Sequence, residues 1–229
     1  MIKKMKYVKN VDNVFTHVPT HLYSLEYCKK FILGKKVLDL GCWNGAFEKL
    51  LIKFPITLTG VDLDIQALKT ARKEFPKFKF ISGDIETGIR LREKQDVVLF
   101  WMTLEHLKNE SEALKNINMI LKKNGRLFLS TPSNHPLSIL FDFPYFLIGH
   151  KHFDPNYLKE LLSKAGFIVE DLRVVGGLWV ALRITLLIFY KYLLNQALPP
   201  MSFVEERQLS EYRSGRGFYE VFLRARKIK

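Results

Sequence analysis

Val37-Leu38-Asp39-Leu40-Gly41-Cys42-Trp43-Asn44-Gly45-Ala46-Phe47 runs an apolar segment straight into a glycine-bearing turn and then into a helical pattern. Val37, Leu38 and Leu40 are the residue types that fill a parallel strand covered on both faces. Gly41 and Gly45 permit a tight turn with its backbone open to a ligand. A helix starting at about Ala46 and continuing through Phe47, Leu50, Leu51 and Ile52 would aim its first free N–H groups into the crevice at the strand's carboxyl end. That crevice is nucleotide-sized. The dinucleotide fingerprint Gly-x-Gly-x-x-Gly fails here, because Trp43 and Ala46 occupy its second and third glycine positions. Asp39 just before the turn would repel a phosphate and attract a cation.

Outward from this stretch the strands continue to end in carboxylates. Ile56 to Asp62 reads as a second strand, with Asp62 about 20 residues past the glycines, where a carboxylate accepts hydrogen bonds from ribose hydroxyls. Asp64 is the better cap for the helix that begins near Ile65 and buries Ala67, Leu68 and Ala71. A third strand, Phe78 to Asp84, ends in another carboxylate, and the fourth, Asp96 to Trp101, leads into Met102-Thr103-Leu104-Glu105-His106-Leu107. Ala113, Leu114, Ile117 and Ile120-Leu121 mark a helix that the spacing stops at Lys122-Lys123-Asn124-Gly125, a basic last turn followed by glycine. The fifth strand is Arg126 to Ser130, followed by Thr131-Pro132-Ser133-Asn134. Asp154-Pro155-Asn156 opens a helix whose buried face is Leu158, Leu161 and Leu162. Phe167 to Val175 is the sixth strand, and Tyr219 to Arg226 alternates apolar and polar as an antiparallel edge strand would.

Asp39, Gly41 and Gly45 match the first motif, Asp-x-Gly-x-Gly-x-Gly, of the class I S-adenosylmethionine-dependent methyltransferases, and Trp43 replaces its middle glycine. The sequence resembles that family over nearly its whole length. The resemblance implies an α/β fold with a Rossmann-like seven-stranded, mostly parallel sheet, an antiparallel last strand, helices on both faces and a helical, apolar lid. It implies S-adenosyl-L-methionine as cofactor, a cation without phosphate, as Asp39 asks. Asp39 and the turn Gly41, Cys42, Trp43 and Gly45 would hold the methionine part, Asp62 with Leu63 the ribose, and Asp84 with Ile85 the adenine. Trp101 is a candidate to pack against the cofactor and equally a plain core aromatic.

Glu105, His106 and the later Leu129-Ser130-Thr131-Pro132-Ser133-Asn134 resemble the branch containing the ubiquinone-biosynthesis O-methyltransferases, in which a Glu-x-x-Glu-His stretch has been linked to a divalent metal. Met102 stands where the first of those glutamates would be, and a hard cation needs several oxygen ligands, so no metal is expected. His106 and Glu105 are the catalytic candidates, His106 because an imidazole titrates near neutrality. His106 could as well orient a neighbouring backbone. The acceptor side would draw on His135, Tyr145, His150 and His152, in a connection from 135 to 152 that is longer and more apolar than a strand-to-helix link needs.

A chain of 229 residues suits a single domain, 1–229, with a capping segment and helix in 1–36 and lid or insertion segments at 131–153 and 177–213. With 48% hydrophobic residues it is not a disordered chain. Cys28 and Cys42 form no metal or disulfide spacing, which suits a reducing cytoplasm, and the basic start Met1 to Lys6 lacks the apolar run of a signal peptide. The net charge of +13 is spread along the chain; it leaves nucleic acid or an anionic lipid surface as partners beside a merely solvated basic face. Residues 178–194 are the most apolar stretch, but they fall short of a membrane span and are interrupted by Arg183 and Lys191. This segment reads as a roof over the substrate, a membrane-interface helix with snorkelling basic residues, or a homodimer contact.

The function expected is methyl transfer to a small, apolar or lipid-like acceptor, on oxygen. RNA or protein methylation stays open through the charge, and Trp43 and Met102 leave room for a cofactor-binding module without turnover.

Overall fold

The computed structural model describes residues 18–142, 149–196 and 198–228. Strand β1 (Lys36–Leu40) lies at the centre, with Val37, Leu38 and Leu40 fully buried. It pairs in parallel with β2 (Thr57–Asp62) on one side and with β4 (Gln95–Trp101) on the other. β3 (Lys79–Ser82) lies beyond β2, while β5 (Leu121–Pro132), β7 (Glu220–Lys227) and β6 (Phe167–Val175) follow β4, giving the order β3-β2-β1-β4-β5-β7-β6. β7 alone runs antiparallel to its neighbours. The strand order reverses between β1 and β4, and in an open α/β sheet ligands bind in the crevice outside the strand ends at such a point.

Alternation along the strands feeds two cores. Val37, Phe128 and Phe222 face one side, under α1 (Val18–Ile32) through Tyr23, Cys28 and Ile32, and under α3 (Ile65–Glu74) through Leu68. Leu38, Val98, Leu127 and Leu223 face the other, under α4 (Glu110–Ile120) through Leu114 and Ile117 and α6 (Pro155–Lys164) through Leu158 and Leu162. Each such side chain contributes about 1.5–3 kcal/mol by leaving water. Asp64 caps α3, its Oδ1 accepting from the N–H of Gln66 at 2.8 Å and of Ala67 at 3.0 Å, and Asp154 caps α6 in the same way.

Three expectations need correction. β7 is not an edge strand; it sits between β5 and β6, and the exposed edge is β6. Its polar positions mislead because they are covered: the Arg224 guanidinium lies 4.6 Å from the centre of the Phe31 ring, and Arg224 and Arg226 both reach Glu170. The helix after the glycine turn is a single turn, α2 (Glu48–Leu51), rather than one running from Ala46 to Ile52. Helix α4 ends at Ile120 without a basic last turn, and Lys122 instead reaches Asp96 at 2.7 Å, near the start of β4.

The segments expected to form a lid or insertion hold three helices: α5 (Pro136–Phe141), α7 (Leu178–Ile188), which runs on into a π-turn (Phe189–Leu193), and α8 (Ser202–Arg213). Glu211 of α8 fixes the start of α7 by accepting from the backbone N–H groups of Gly177, Trp179 and Val180. Arg183 does not snorkel outward. It is 5% exposed on the inner face of α7 and pairs with Glu205 of α8 at 3.7 Å. Leu178, Leu182 and Phe189 form the outer, exposed face. Among the described residues no helix is long and apolar enough to cross a membrane.

Candidate active site

The turn after β1 is held by contacts that only glycine permits. Gly41 has φ +79°, and a Cβ there would lie 2.3 Å from the Thr103 hydroxyl, which donates to the carbonyls of Trp101 at 2.8 Å and Leu40 at 3.3 Å. Gly45 has φ +83°, and a Cβ would lie 2.8 Å from the Phe75 ring. These glycines let the β1 turn press against the β4 turn and α3. Trp43, where the family motif has glycine, sits at φ +45° in the left-handed region that side chains rarely adopt. Its N–H donates to Asp62 Oδ2 at 2.8 Å, and the N–H of Asp64 donates to Asp62 Oδ1 at 2.8 Å. Asp62 therefore braces the turn and still keeps a free lone pair on each oxygen.

The carboxylates expected at consecutive strand ends come together. Asp84 accepts from the N–H of Glu86 at 2.8 Å, and Asn116 of α4 pins the loop by donating to the carbonyls of Ile85 and Glu86. Ile85 is buried, whereas Leu63 and Ile65 stand 65% and 55% exposed beside Asp62, an apolar shelf in an otherwise polar crevice. Cys42 is buried, and its thiol is pushed up by desolvation and by the nearby carboxyls of Glu48, Asp39 and Asp62. Trp101 is 9% exposed and packs in the core between Phe47, Phe128 and Phe222.

Sequence reasoning missed Glu48. It is fully buried in α2, neither of its carboxyl oxygens has a hydrogen-bond partner among the described residues, and it acts on the carboxyl of Asp39, itself 3% exposed. Two carboxyls out of water and in contact cannot both ionise cheaply. Burial first, then the neighbouring acid, raises Asp39 well above the ordinary carboxylate range, and burial pushes Glu48 up to about 7. The signal was present in the helical pattern, since Glu48 lies one turn before Leu51 on the buried stripe. A bound cation fits this donor set, which has acidic groups on three elements and, among the described residues, no lysine or arginine acting on Asp39 or Glu48.

The second half of the site lies past β4 and β5. Glu105, 2% exposed in a 3-10 turn (Leu104–His106), accepts from the Thr131 hydroxyl at 3.1 Å, and burial, with Glu220 and Asp142 nearby, pushes it up to about 8. His106 keeps an edge in solvent, yet desolvation and His150 push it down to about 4. Its ring meets that of His150 edge-on at 4.5 Å. Asp142 takes His150 Nδ1 and His152 Nε2, each at 3.2 Å; burial opposes its ionisation, but these two bonds win and hold it below the usual carboxylate range. Glu105, His106, Lys108, His150 and Lys151 line a cavity of about 370 Å³. His135 serves α5 instead, its Nδ1 accepting from the N–H of Leu137 at 3.2 Å while its ring lies 5.1 Å from that of Phe218. Tyr145 lies outside the described residues. Among the described residues no group of three His, Cys, Asp or Glu side chains could hold a metal ion.

Comparison with known proteins gives one family. The sequence model described as "Methyltransferase domain" matches residues 19–172. The ubiquinone biosynthesis O-methyltransferase, mitochondrial, of Schizosaccharomyces pombe is 32% identical over 162 residues, covering 62% of this chain and 58% of that protein. The chain spans less than two thirds of the length of the curated relatives it matches. Among solved structures, the [4+2]-cyclase SpnF superposes with a TM-score of 0.67 at 18% identity, covering 91% of this chain and 81% of its own. A Haemonchus contortus phosphoethanolamine N-methyltransferase holding S-adenosylhomocysteine gives 0.65 at 18% identity, covering 90% of this chain and 52% of its own. These two likenesses concern the fold.

Proposed function

The chain belongs to the S-adenosylmethionine-dependent methyltransferase family, and we propose that it moves the methyl group of S-adenosylmethionine to an oxygen of a small, apolar or lipid-like acceptor. The observation that carries this reading is the set of acidic side chains at the ends of β1, β2 and β3 around the Gly41–Gly45 turn, with Asp39 and Glu48 lacking a cationic partner. When bound, the cofactor supplies an electrophilic methyl on a sulfonium. Asp39 and the turn hold its methionine part, Asp62 takes the ribose hydroxyls on its remaining lone pairs, and Asp84 with the buried Ile85 holds the adenine, Leu63 covering it from the solvent side.

The acceptor enters the cavity lined by Glu105, His106 and His150. Glu105 keeps its proton below about pH 8 and so donates a hydrogen bond rather than serving as the base at neutral pH. His106 is neutral there and accepts the acceptor's hydroxyl proton; its low basicity asks for an already acidic hydroxyl, such as a phenol. Alignment of the reacting atoms supplies most of the rate. The O-methyltransferase names of the relatives support oxygen as the receiving atom. The apolar outer face of α7, Leu178, Leu182 and Phe189, with Leu140 of α5 exposed as well, supports delivery of the acceptor from an apolar phase.

The fold alone also hosts a cyclase, so the test must read methyl transfer itself. With methyl-labelled S-adenosylmethionine and a catechol-type acceptor bearing an apolar tail, label should appear as a methyl ether, with the rate falling at least tenfold in His106→Ala. Cofactor binding without transfer to any oxygen acceptor would count against the reading.

A further inference from the structure

The Asp39–Glu48 pair has a consequence for how a cation binds. Asp39 precedes the glycine turn and Glu48 follows it, so the two carboxyls close together beneath its backbone. Neither Glu48 oxygen meets a hydrogen-bond partner among the described residues. A fully buried acid with an idle oxygen beside a ligand crevice is costly unless a partner arrives.

The groups facing the pair can be named element by element. β2 contributes Asp62, another negative group acting on both members. The turn contributes Cys42 and α1 contributes Cys28, both held as neutral thiols by burial and by these acids. His21 of α1, whose ring lies 5.7 Å from that of Phe47, is pushed down to about 4 by burial and by Arg183 and is therefore neutral at pH 7. Nothing on these elements supplies a positive charge to the pair. In the absence of a cation, the pair would balance its charge by keeping one proton between Asp39 and Glu48.

We propose that Glu48 is a second cofactor-binding carboxylate and that the ammonium group of the cofactor's methionine moiety displaces the proton it shares with Asp39. The step balances simply: one O–H bond of a carboxylic acid breaks, its proton leaves to the buffer, and the resulting dianion is matched by the incoming ammonium. The pair titrates as a unit, so the released proton belongs to the pair and not to either residue. The inference rests on the cofactor reading above and adds a residue and a proton count to it.

The test is calorimetric titration with S-adenosylhomocysteine, which carries the ammonium but no sulfonium, in several buffers of different ionisation enthalpy between pH 6 and 9. Wild type should release close to one proton per ligand near pH 6 and less toward pH 8, above which the ligand's own amino group begins to take up a proton on binding, with affinity rising up to about tenfold per pH unit over the lower part of the range. Glu48→Gln, which keeps the shape and removes one of the two acids, should bind more weakly than wild type above pH 7, where the wild-type pair offers two charges, and its proton release should fade at lower pH because Asp39 is left with only burial and Asp62 to hold its proton. Circular dichroism of the variant confirms that it folds. Binding to wild type with an enthalpy independent of the buffer near pH 6 would overturn the inference while leaving the cofactor reading standing; no binding at any pH would overturn both.

Discussion

The two halves of the crevice are built differently. The cofactor half, at the ends of β1 to β3, is made of short-range devices: a glycine turn, carboxylates that accept backbone N–H groups two to nineteen residues away, and a capped helix. The proposed acceptor half, past β4 and β5, joins segments farther apart in sequence: the Glu105 carboxyl meets the Thr131 hydroxyl, and the Glu105 carbonyl meets the Lys151 N–H. If the proposed assignment holds, the short-range half would read the cofactor and the long-range half the acceptor.

The sharpest way to break the cofactor half is to add one carbon at its turn. Gly41→Ala places a Cβ against the Thr103 hydroxyl at a position of positive φ. It should cost about 3 kcal/mol or more and abolish S-adenosylhomocysteine binding, as read from urea midpoints and calorimetry. A variant of normal stability that still binds would show that the two turns are not pressed together.

The acceptor half can be broken by pH. The folded-state value of Glu105, about 8, lies above its unfolded value of 4.5, so the folded protein binds the extra proton between them. Its contribution is complete below about pH 4.5 and is lost as pH rises toward 8. Across that window wild type should lose stability relative to Glu105→Gln by on the order of 1 kcal/mol per pH unit, in paired denaturation curves from pH 5 to 8. Parallel curves would mean that Glu105 is solvated.

Smaller effects sharpen the contrast. Leu182→Ser on the outer face of α7 should change stability by under about 0.5 kcal/mol, yet weaken sedimentation with lipid vesicles; unchanged sedimentation would remove the apolar-phase delivery route. Trp43→Gly relieves a left-handed side chain worth about 1 kcal/mol but adds chain entropy of similar size. Its stability should stay within about 1 kcal/mol of wild type and cofactor binding should persist, checked by thermal melting with and without S-adenosylhomocysteine.

The same division decides what could be read in advance. The parallel strands were legible because strands covered on both faces are continuous apolar runs, as in Val37 to Leu40 and Val97 to Phe100. Asp39, Asp62 and Asp84 were legible because a strand end followed by a turn is a local pattern. The central position of β7 was not, because the Arg224 guanidinium lies over Phe31 and Arg224 and Arg226 both meet Glu170, three contacts that sequence spacing does not encode. Glu48 was not singled out, because a charged residue among Phe47, Leu50 and Leu51 carries no mark of burial until α2 is seen to bury its first residue. His135 was grouped with the acceptor residues, although its ring nitrogen is spent on capping α5.

The central claim is that the crevice at the ends of β1 to β3 holds S-adenosylmethionine through these carboxylates. Calorimetric titration of wild type and Asp62→Asn with S-adenosylhomocysteine tests it most directly. Micromolar binding to wild type, weakened at least tenfold in the variant, is the predicted result; no binding to folded wild-type protein, or equal affinity in both, would contradict it.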